Sequence, residues 1–246
     1  MQPFIRIGGL TLASYGILMS VALFAGYHLF AAELRRKEIV RPSPLLVVAI
    51  LAVGALLFSR LYFFICSPLS RGTGYTFYGA ALGDICVLAL LARHFNVPLA
   101  HLLDALASPL AAGYAIGRLG CFVAGDGDYG IPTDLPWGMS FPRGLIPTLQ
   151  SVHPTPLYEF AASAALCLWL WRLGNPARSA QRRAGYVFAM YLICSGAARF
   201  SVEFIKLNPR DSFGLANAQF VALISIAAAT IFLIFPPKQS AALTPT

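Results

Sequence analysis

The feature that most constrains this chain is a series of long apolar segments that recurs along its whole length. Each segment is close to the roughly 20 residues that an α-helix needs to cross a bilayer. The membrane interior offers no water to backbone groups, so such segments must form helices that satisfy their own hydrogen bonds. We therefore predict an all-α integral membrane protein, a bundle of about seven transmembrane helices. The predicted segments are 8–32, 44–65, 76–93, 98–123, 156–173, 185–205 and 214–236.

The composition agrees with a membrane protein that has a single domain. Only 11% of the residues are charged, whereas about a quarter are charged in an ordinary soluble domain. The seven segments account for the length, so we predict one transmembrane domain over residues 1–246, in which 237–246 form a flexible cytoplasmic tail. The five cysteines are scattered and lack the close spacing of metal ligands. No disulfide framework, metal or cofactor is therefore expected.

The positive charges predict the orientation of the bundle. Lys and Arg gather in the loops after the first, third and fifth apolar segments, and loops rich in these residues face the cytoplasm. The N-terminus is then extracytoplasmic and the C-terminus cytoplasmic. The net charge is +8, but the basic residues do not form a face interleaved with aromatic residues, so no nucleic-acid partner is expected. The residues that carry this signal are Arg35, Arg36, Lys37, Arg41, Arg93, Arg172, Arg178, Arg182 and Arg183.

The longest connection between apolar segments lies on the opposite side. Residues 124–155 are rich in glycine and proline and also carry acids and aromatic residues. A connection of this length is uncommon inside a compact bundle and is usually functional. We predict that 124–155 form an extracytoplasmic cap over a site.

Several ionisable side chains fall inside the apolar segments, where each costs a few kcal/mol or more and so needs a functional or pairing explanation. Asp104 and Arg118 are spaced about 21 Å apart along one helix, at opposite ends of a polar track. Arg199 and Glu203 are spaced i,i+4 on one face. An ion pair that fixes helix packing is an equal alternative for them. For Asp84 and Asp104 a structural role is the favoured interpretation.

The segment Gly117–Gly130 is the most informative in the chain. Its five glycines surround Arg118 and allow the backbone to approach a ligand closely. A guanidinium donates two parallel hydrogen bonds to a phosphate. Arg118 and Arg199, both near the outer leaflet, could clamp one phospholipid headgroup. The alternative is that the glycines serve turns and Arg118 only reaches the interface.

Six motifs, in this order along nearly the whole chain, carry a resemblance to a known family. By their order and spacing the chain resembles the prolipoprotein diacylglyceryl transferase family, whose fold is a seven-helix membrane bundle with the N-terminus outside. The motifs are Tyr15-Gly16, Thr76-Phe77-Tyr78-Gly79, Gly117-Arg118-Leu119-Gly120-Cys121-Phe122, His153-Pro154-Thr155-Pro156-Leu157-Tyr158-Glu159, Arg199-Phe200-Ser201-Val202-Glu203-Phe204 and Gln219.

The resemblance implies a reaction and its partners. In the bacterial cytoplasmic (inner) membrane, the diacylglyceryl group of phosphatidylglycerol would pass to the lipobox cysteine thiol in a prolipoprotein signal peptide. A thioether would form and glycerol phosphate would be released. Membrane lipids would surround the enzyme.

The resemblance also implies roles for particular residues. Arg118 and Arg199 match the arginines assigned to phosphatidylglycerol binding and catalysis, and they would neutralise charge on the departing glycerol phosphate. Glu203 would hold Arg199 in place. Tyr15 matches a tyrosine near the lipid, and Asp104 matches an acid earlier in the fourth helix.

The chain departs from the common family pattern where the thiol must be activated. Tyr78 stands where many members have a histidine proposed as the base, and a tyrosine with a pKa near 10 is a poor base. Either Tyr78 only orients the substrate, or the base is His153, Glu203 or Asp126. Cys121 and Asp126 replace an asparagine and a glutamate of the signature segment.

The sequence is also compatible with two other functions. A transporter or channel would also keep charged side chains inside its helices, although the chain has no inverted repeat. A relative with a changed lipid or acceptor would explain the departures at Tyr78, Cys121 and Asp126. Activity on phosphatidylglycerol and a lipobox peptide separates these hypotheses.

Overall fold

The computed structural model describes residues 2–66, 77–179, 182–211 and 213–235. Seven helices of 18 to 26 residues and one short helix make up most of this part of the chain. All seven predicted segments are largely helical. The helices are α1 (Ser14–Arg36), α2 (Pro44–Cys66), α3 (Phe77–His94), α4 (Leu99–Ala124), α5 (Thr155–Leu173), α6 (Pro176–Ser179), α7 (Tyr186–Glu203) and α8 (Asn217–Ile234). The predicted tail, 237–246, lies outside the described residues.

Four of the helices are long and apolar enough to cross a membrane by length and composition. They are α1, α2 over Pro44–Ile65, α4 and α8. Of the others, α5 and α7 carry Glu159, Arg199 and Glu203, which reduce their apolar character. The chain is therefore a helical membrane protein in which two of the less apolar helices carry charged side chains.

The first predicted segment, 8–32, begins too early. Residues before α1 form an antiparallel hairpin of β1 (Phe4–Ile7) and β2 (Leu10–Ala13). The turn contains Gly8 with a φ of +60°, a backbone conformation that glycine adopts without strain. The backbone N–H and the hydroxyl of Ser14 both donate to the carbonyl of Pro3. These bonds fix the hairpin to the start of the helix. The apolar residues of β2, which the sequence interpretation included in the first helix, therefore form a strand.

Helix α4 lies at the centre of the helical packing, in contact with α1, α3, α5 and α7. α1 and α5 make extensive contacts with α4, whereas α2 pairs with α3 and α7 pairs with α8. Gly120 allows α1 to approach α4, because a Cβ there would lie 3.1 Å from Cδ2 of Tyr15. One buried cluster joins the last turns of α1 to the start of α4 and includes Phe30, Leu34 and Leu102. These contacts fix both ends of α4, which carries several of the predicted site residues.

The predicted cap, 124–155, contains a second hairpin, β3 (Met139–Phe141) with β4 (Thr148–Val152). Tyr129 stacks on Phe141 with ring centroids 4.0 Å apart. The backbone N–H groups of Leu145 and Ile146 donate to carbonyls at the end of α4. Gly125, with a φ of +62°, allows this approach, because a Cβ there would meet the Gly144 backbone. The all-α prediction missed both hairpins: β2 of the first lies within the predicted apolar segment 8–32, whereas the second lies outside the apolar segments.

The segment after α7 is joined to the cap by backbone hydrogen bonds. The N–H of Ile131 donates to the carbonyl of Ile205 at 2.8 Å, and Gly130 and Lys206 form an isolated antiparallel bridge. The N–H of Gly130 also donates to the carbonyl of His153 at 2.9 Å. The ends of α4, α5 and α7 are thereby held together beneath the cap.

Candidate active site

Six charged side chains meet where the cap joins the helices, and we call them the Glu159 cluster. Three are cations and three are carboxylates, linked by six ion pairs of 3.5 Å or less. They come from α4, the loop after α4, α5, α7 and the segment after α7. The members are Arg118, Asp128, Glu159, Arg199, Glu203 and Lys206.

Glu159 lies at the centre of the cluster, in the first turns of α5, and its side chain is only 4% exposed. Its Oε1 accepts hydrogen bonds from the Tyr114 hydroxyl at 2.6 Å and from Nη1 of Arg199 at 2.7 Å. Its Oε2 lies 2.8 Å from Nζ of Lys206 and 3.5 Å from Nε of Arg118. These last two contacts are ion pairs by distance without the angle of a hydrogen bond. A buried carboxylate needs such compensation, and here three cations supply it.

Both arginines keep part of their hydrogen-bonding capacity. Arg199 pairs with Glu159 and, at 2.9 Å, with Glu203 one helical turn away. Arg118 uses Nη1 for Asp128 and directs Nε at Glu159. Within the described residues, Nη2 of Arg118 and Nε of Arg199 make no hydrogen bond. Their side chains are 18% and 26% exposed, so both guanidiniums can reach a ligand.

Lys206 and Asp128 complete the cluster on the side of the cap. Nζ of Lys206 lies 2.7 Å from Oδ1 of Asp128, and the Lys206 side chain is only 1% exposed. The backbone of Asp128 is fixed at both ends: its N–H donates to Oδ1 of Asp126 at 3.2 Å, and its carbonyl accepts from the Thr155 hydroxyl at 2.5 Å. The loop after α4 is thus tied to the start of α5.

Three residues selected from the sequence lie beside Arg118, at one end of α4. Tyr15 packs against Gly120, the residue before Cys121. Sγ of Cys121 is 3.9 Å from Nη1 of Arg118, and the thiol is free and buried. Asp126 caps the turn that carries Asp128. The structure therefore brings Tyr15, Arg118, Cys121 and Asp126 together. The last three are neighbours in the segment 117–130, so their proximity was expected from the sequence.

One further candidate, His153, lies at the edge of this region. The Tyr158 hydroxyl accepts a hydrogen bond from Nε1 of Trp137 at 2.8 Å and lies 3.2 Å from Nδ1 of His153. The His153 ring is thereby held by Tyr158 in the first turn of α5, and Tyr158 is held in turn by Trp137 of the cap. Tyr78 lies in the first turn of α3, and its side chain is outside the described part of the structure.

Asp104 does not lie with the other predicted site residues. It is in the first half of α4, and its carboxylate accepts the backbone N–H groups of Gly185 and Phe188, both at 2.8 Å. These N–H groups belong to the start of α7 and have no partner within their own helix. Asp104 is therefore the cap of α7, in agreement with the structural interpretation of this residue and not with a place in the lipid site.

The sequence interpretation missed four residues that the structure places in or against the cluster: Tyr114, Asp128, Glu159 and Lys206. Two signals were available. Glu159 is an acid at the start of an apolar segment, in the His-Pro-Thr-Pro-Leu-Tyr-Glu motif. Lys206 follows Arg199 by seven residues, which is two helical turns on the same face as Glu203. In the described part of the chain, no group of three or more His, Cys, Asp or Glu side chains could hold a metal ion.

The fold and the site define a class: a helical membrane protein with a buried, partly accessible cluster of arginines suited to an anionic ligand. The family model described as prolipoprotein diacylglyceryl transferase matches residues 2–235. A phosphatidylglycerol–prolipoprotein diacylglyceryl transferase of Synechococcus elongatus is 32% identical, over 94% of this chain and 86% of that protein. The enzyme of the same name from Geobacter sulfurreducens is 31% identical, over 88% and 86%. The chain belongs to the prolipoprotein diacylglyceryl transferase family.

Proposed function

We propose that this protein transfers the diacylglyceryl group of phosphatidylglycerol to the lipobox cysteine thiol of a prolipoprotein. The observation that carries the proposal is the convergence of Arg118 and Arg199 on Glu159, with one nitrogen of each guanidinium unbonded in the described structure. Two guanidiniums held this way suit a phosphodiester. The names of the similar proteins supply the two substrates, and family membership favours a transferase over a transporter.

We further propose that the seven long helices all span the bacterial cytoplasmic (inner) membrane, with the N-terminus and the cap outside. The basic residues at the ends of α1, α3 and α5 support this orientation, because basic loops stay in the cytoplasm. Those ends lie opposite the Glu159 cluster along the helices. The cluster would then sit at the outer leaflet, at the depth of lipid phosphates.

The chemistry requires a nucleophile and stabilisation of a leaving group. The thiolate of the acceptor cysteine attacks the glyceryl carbon that bears the phosphate oxygen. A carbon–sulfur bond forms, the carbon–oxygen bond breaks, and the electron pair of that bond stays on the departing glycerol phosphate. The proton of the thiol passes to a base. Arg118 and Arg199 stabilise the charge that grows on the phosphate in a site of low dielectric.

The contacts support a positioning role for Glu203. It pairs with Arg199 and accepts a hydrogen bond from Asn208, so its carboxylate is already engaged in holding these two side chains. We keep His153, Asp126 and Tyr78 as candidates for the base. The pH profiles of single substitutions distinguish them: loss of the base removes the limb on which the rate rises with pH, whereas loss of a packing residue leaves the shape of the profile unchanged.

The test of the function uses the purified protein in neutral-lipid nanodiscs with phosphatidylglycerol and a synthetic lipobox peptide. Mass spectrometry should show the diacylglyceryl mass on the peptide, and glycerol phosphate should appear in equal amount. A peptide with serine in place of the cysteine is the control and should gain no mass. Absence of the thioether with phosphatidylglycerol, together with a product from another phospholipid, would establish a relative with a changed lipid.

A further inference from the structure

The charges of the Glu159 cluster already balance without a substrate. Its three cations face three carboxylates, and each cation pairs with two of the carboxylates. On the proposed function, on which this inference rests, a phosphodiester brings one more negative charge. A fourth anion among buried groups is costly because low dielectric strengthens repulsion. One carboxylate must therefore leave its cations when the phosphate binds.

Burial distinguishes the three carboxylates. The side chains of Glu159 and Glu203 are 4% and 1% exposed, whereas that of Asp128 is 25% exposed. A carboxylate released from its cations must reach water, since an unpaired buried charge is strongly unfavourable. Asp128 alone among the three already has access to the surface.

The attachments of the carboxylates point the same way. Glu159 and Glu203 stand on helices α5 and α7, and each also accepts a hydrogen bond from a neutral residue, Tyr114 or Asn208. Asp128 stands on a loop next to Gly127, which has a φ of +93°. Its backbone is held by side chains on both sides, so rotation of its own side chain is enough to free the cations without moving the loop.

The way Asp128 binds its cations resembles the way a phosphodiester would. Its Oδ2 accepts from Nη1 of Arg118, and its Oδ1 lies 2.7 Å from Nζ of Lys206. One negative charge is thus shared by two oxygens, each facing one cation. The two non-bridging oxygens of a phosphodiester also share one charge and can occupy the same two positions.

We propose that Asp128 is the exchangeable carboxylate of the cluster, replaced on Arg118 and Lys206 by the lipid phosphate. Lys206 is then a third phosphate-binding cation beside the two arginines. When the carbon–oxygen bond breaks, the phosphate gains charge and holds the cations more strongly. The return of Asp128 to Arg118 and Lys206 competes with this product and promotes its release.

The test measures binding of two probes, free glycerol phosphate and phosphatidylglycerol in nanodiscs of neutral lipid. Asp128→Asn keeps the size of the side chain and removes the competing charge, so it should tighten both by about tenfold, the equivalent of about 1.4 kcal/mol. Lys206→Met should weaken both, and Lys206→Arg should restore them. Asp134→Asn, an identical change at an exposed cap residue, is the control and should change neither.

The outcomes separate this inference from the proposed function. Unchanged or weaker binding of glycerol phosphate by Asp128→Asn, and by Asp128→Ser as a second folded variant, would overturn the exchange. Tightening for glycerol phosphate alone would restrict the exchange to the free product and overturn it for the lipid. A wild-type protein that forms no thioether but whose Asp128→Asn variant binds glycerol phosphate more tightly would refute the function and leave the exchange standing.

Discussion

Two charged clusters lie at opposite ends of the bundle, and they use their arginines differently. The second, the Glu33 cluster, consists of Glu33, Arg36 and Lys37 at the end of α1 with Ser108 of α4 and Trp171 of α5. Nε and Nη2 of Arg36 donate to Glu33, and Nη1 donates to the carbonyl of Trp171 at 2.8 Å. Every guanidinium nitrogen donates a hydrogen bond there, whereas each arginine of the Glu159 cluster keeps at least one nitrogen without a hydrogen bond among the described residues.

The clusters also differ in where the partners lie in the sequence. Glu33 pairs with cations three and four residues away on its own helix. Each of the three cations that pair with Glu159 is at least 40 residues away in the sequence. A cluster whose ion pairs are local, and whose guanidinium nitrogens all donate hydrogen bonds, holds a helix end in place. A cluster whose cations come from distant elements, with donors left over, is suited to binding an anionic ligand. Burial of charge alone does not distinguish a structural cluster from a functional one.

The strongest test of the difference between the two clusters is to replace an arginine in each of them. Arg199→Ala should lower turnover by on the order of 10³-fold, because it removes a cation that stabilises the leaving phosphate. Arg118→Ala should have a similar effect. Arg36→Ala should leave turnover per folded molecule unchanged and lower the thermal unfolding midpoint. Transferase rates and unfolding curves on the same preparations check all three.

The contrary result is equally clear. Full turnover in either variant of the Glu159 cluster would show that the unbonded nitrogens do not bind the phosphate. Loss of turnover in Arg36→Ala at a temperature where it remains folded would show that the Glu33 cluster takes part in catalysis. Arg→Lys variants refine the result, because lysine keeps the charge and loses the planar fork.

The second prediction compares the two carboxylates. Glu159→Gln keeps the hydrogen bond from Tyr114 and loses the charge that holds three cations together, so we expect turnover to fall by about 100-fold. Glu33→Gln should leave turnover unchanged and cost about 1–3 kcal/mol of stability, because it leaves buried cations without their counter-charge. The measurement is kcat with KM for phosphatidylglycerol, alongside unfolding. Equal losses of turnover in both variants would remove the distinction between the clusters.

The sequence predicted much of this architecture because the bilayer imposes a length. A helix that crosses hydrocarbon needs a long apolar segment, and the search for such segments located the seven long helices within a few residues, except at the start of α1. The hairpin before α1 was missed because its strands are as apolar as the helix that follows. The hairpin in the cap was missed because short strands between glycines and prolines have no comparable constraint.

The site was predicted in part for a similar reason. A charged residue in an apolar segment is conspicuous, so Arg118, Arg199 and Glu203 could be found. Lys206 lies just beyond the end of α7, where a lysine is less conspicuous than inside an apolar segment, and the backbone bridge to Gly130 helps to hold it in the cluster. Asp104 was conspicuous for the same reason as the arginines, yet its partners are backbone groups of another helix, which no spacing in the sequence discloses.

The third prediction has a smaller effect and concerns the hydrogen bond between Tyr114 and Glu159. Tyr114→Phe removes one donor to the central carboxylate and leaves the ring against Arg118, whose guanidinium lies 4.8 Å from it. A hydrogen bond to a charged group contributes about 1.5–3 kcal/mol, so turnover should fall by roughly tenfold or somewhat more. Tyr186→Phe, at a ring that stacks with Arg182 far from Glu159 in the sequence, is the matched control and should not change turnover. An unchanged rate in Tyr114→Phe would mean that the cations alone position Glu159.

The last prediction tests Asp104, the acid whose place in the site the structure does not support. Asp104→Ala should leave kcat and KM for phosphatidylglycerol unchanged, because the residue caps α7 at the end of the bundle away from Arg118. It should cost about 1–2 kcal/mol of stability, the value of a lost helix cap. Asp104→Asn keeps an acceptor oxygen and should recover part of this loss. A raised KM in Asp104→Ala at full stability would instead place the far end of α4 in contact with the lipid, and the polar track along α4 would then join the two clusters.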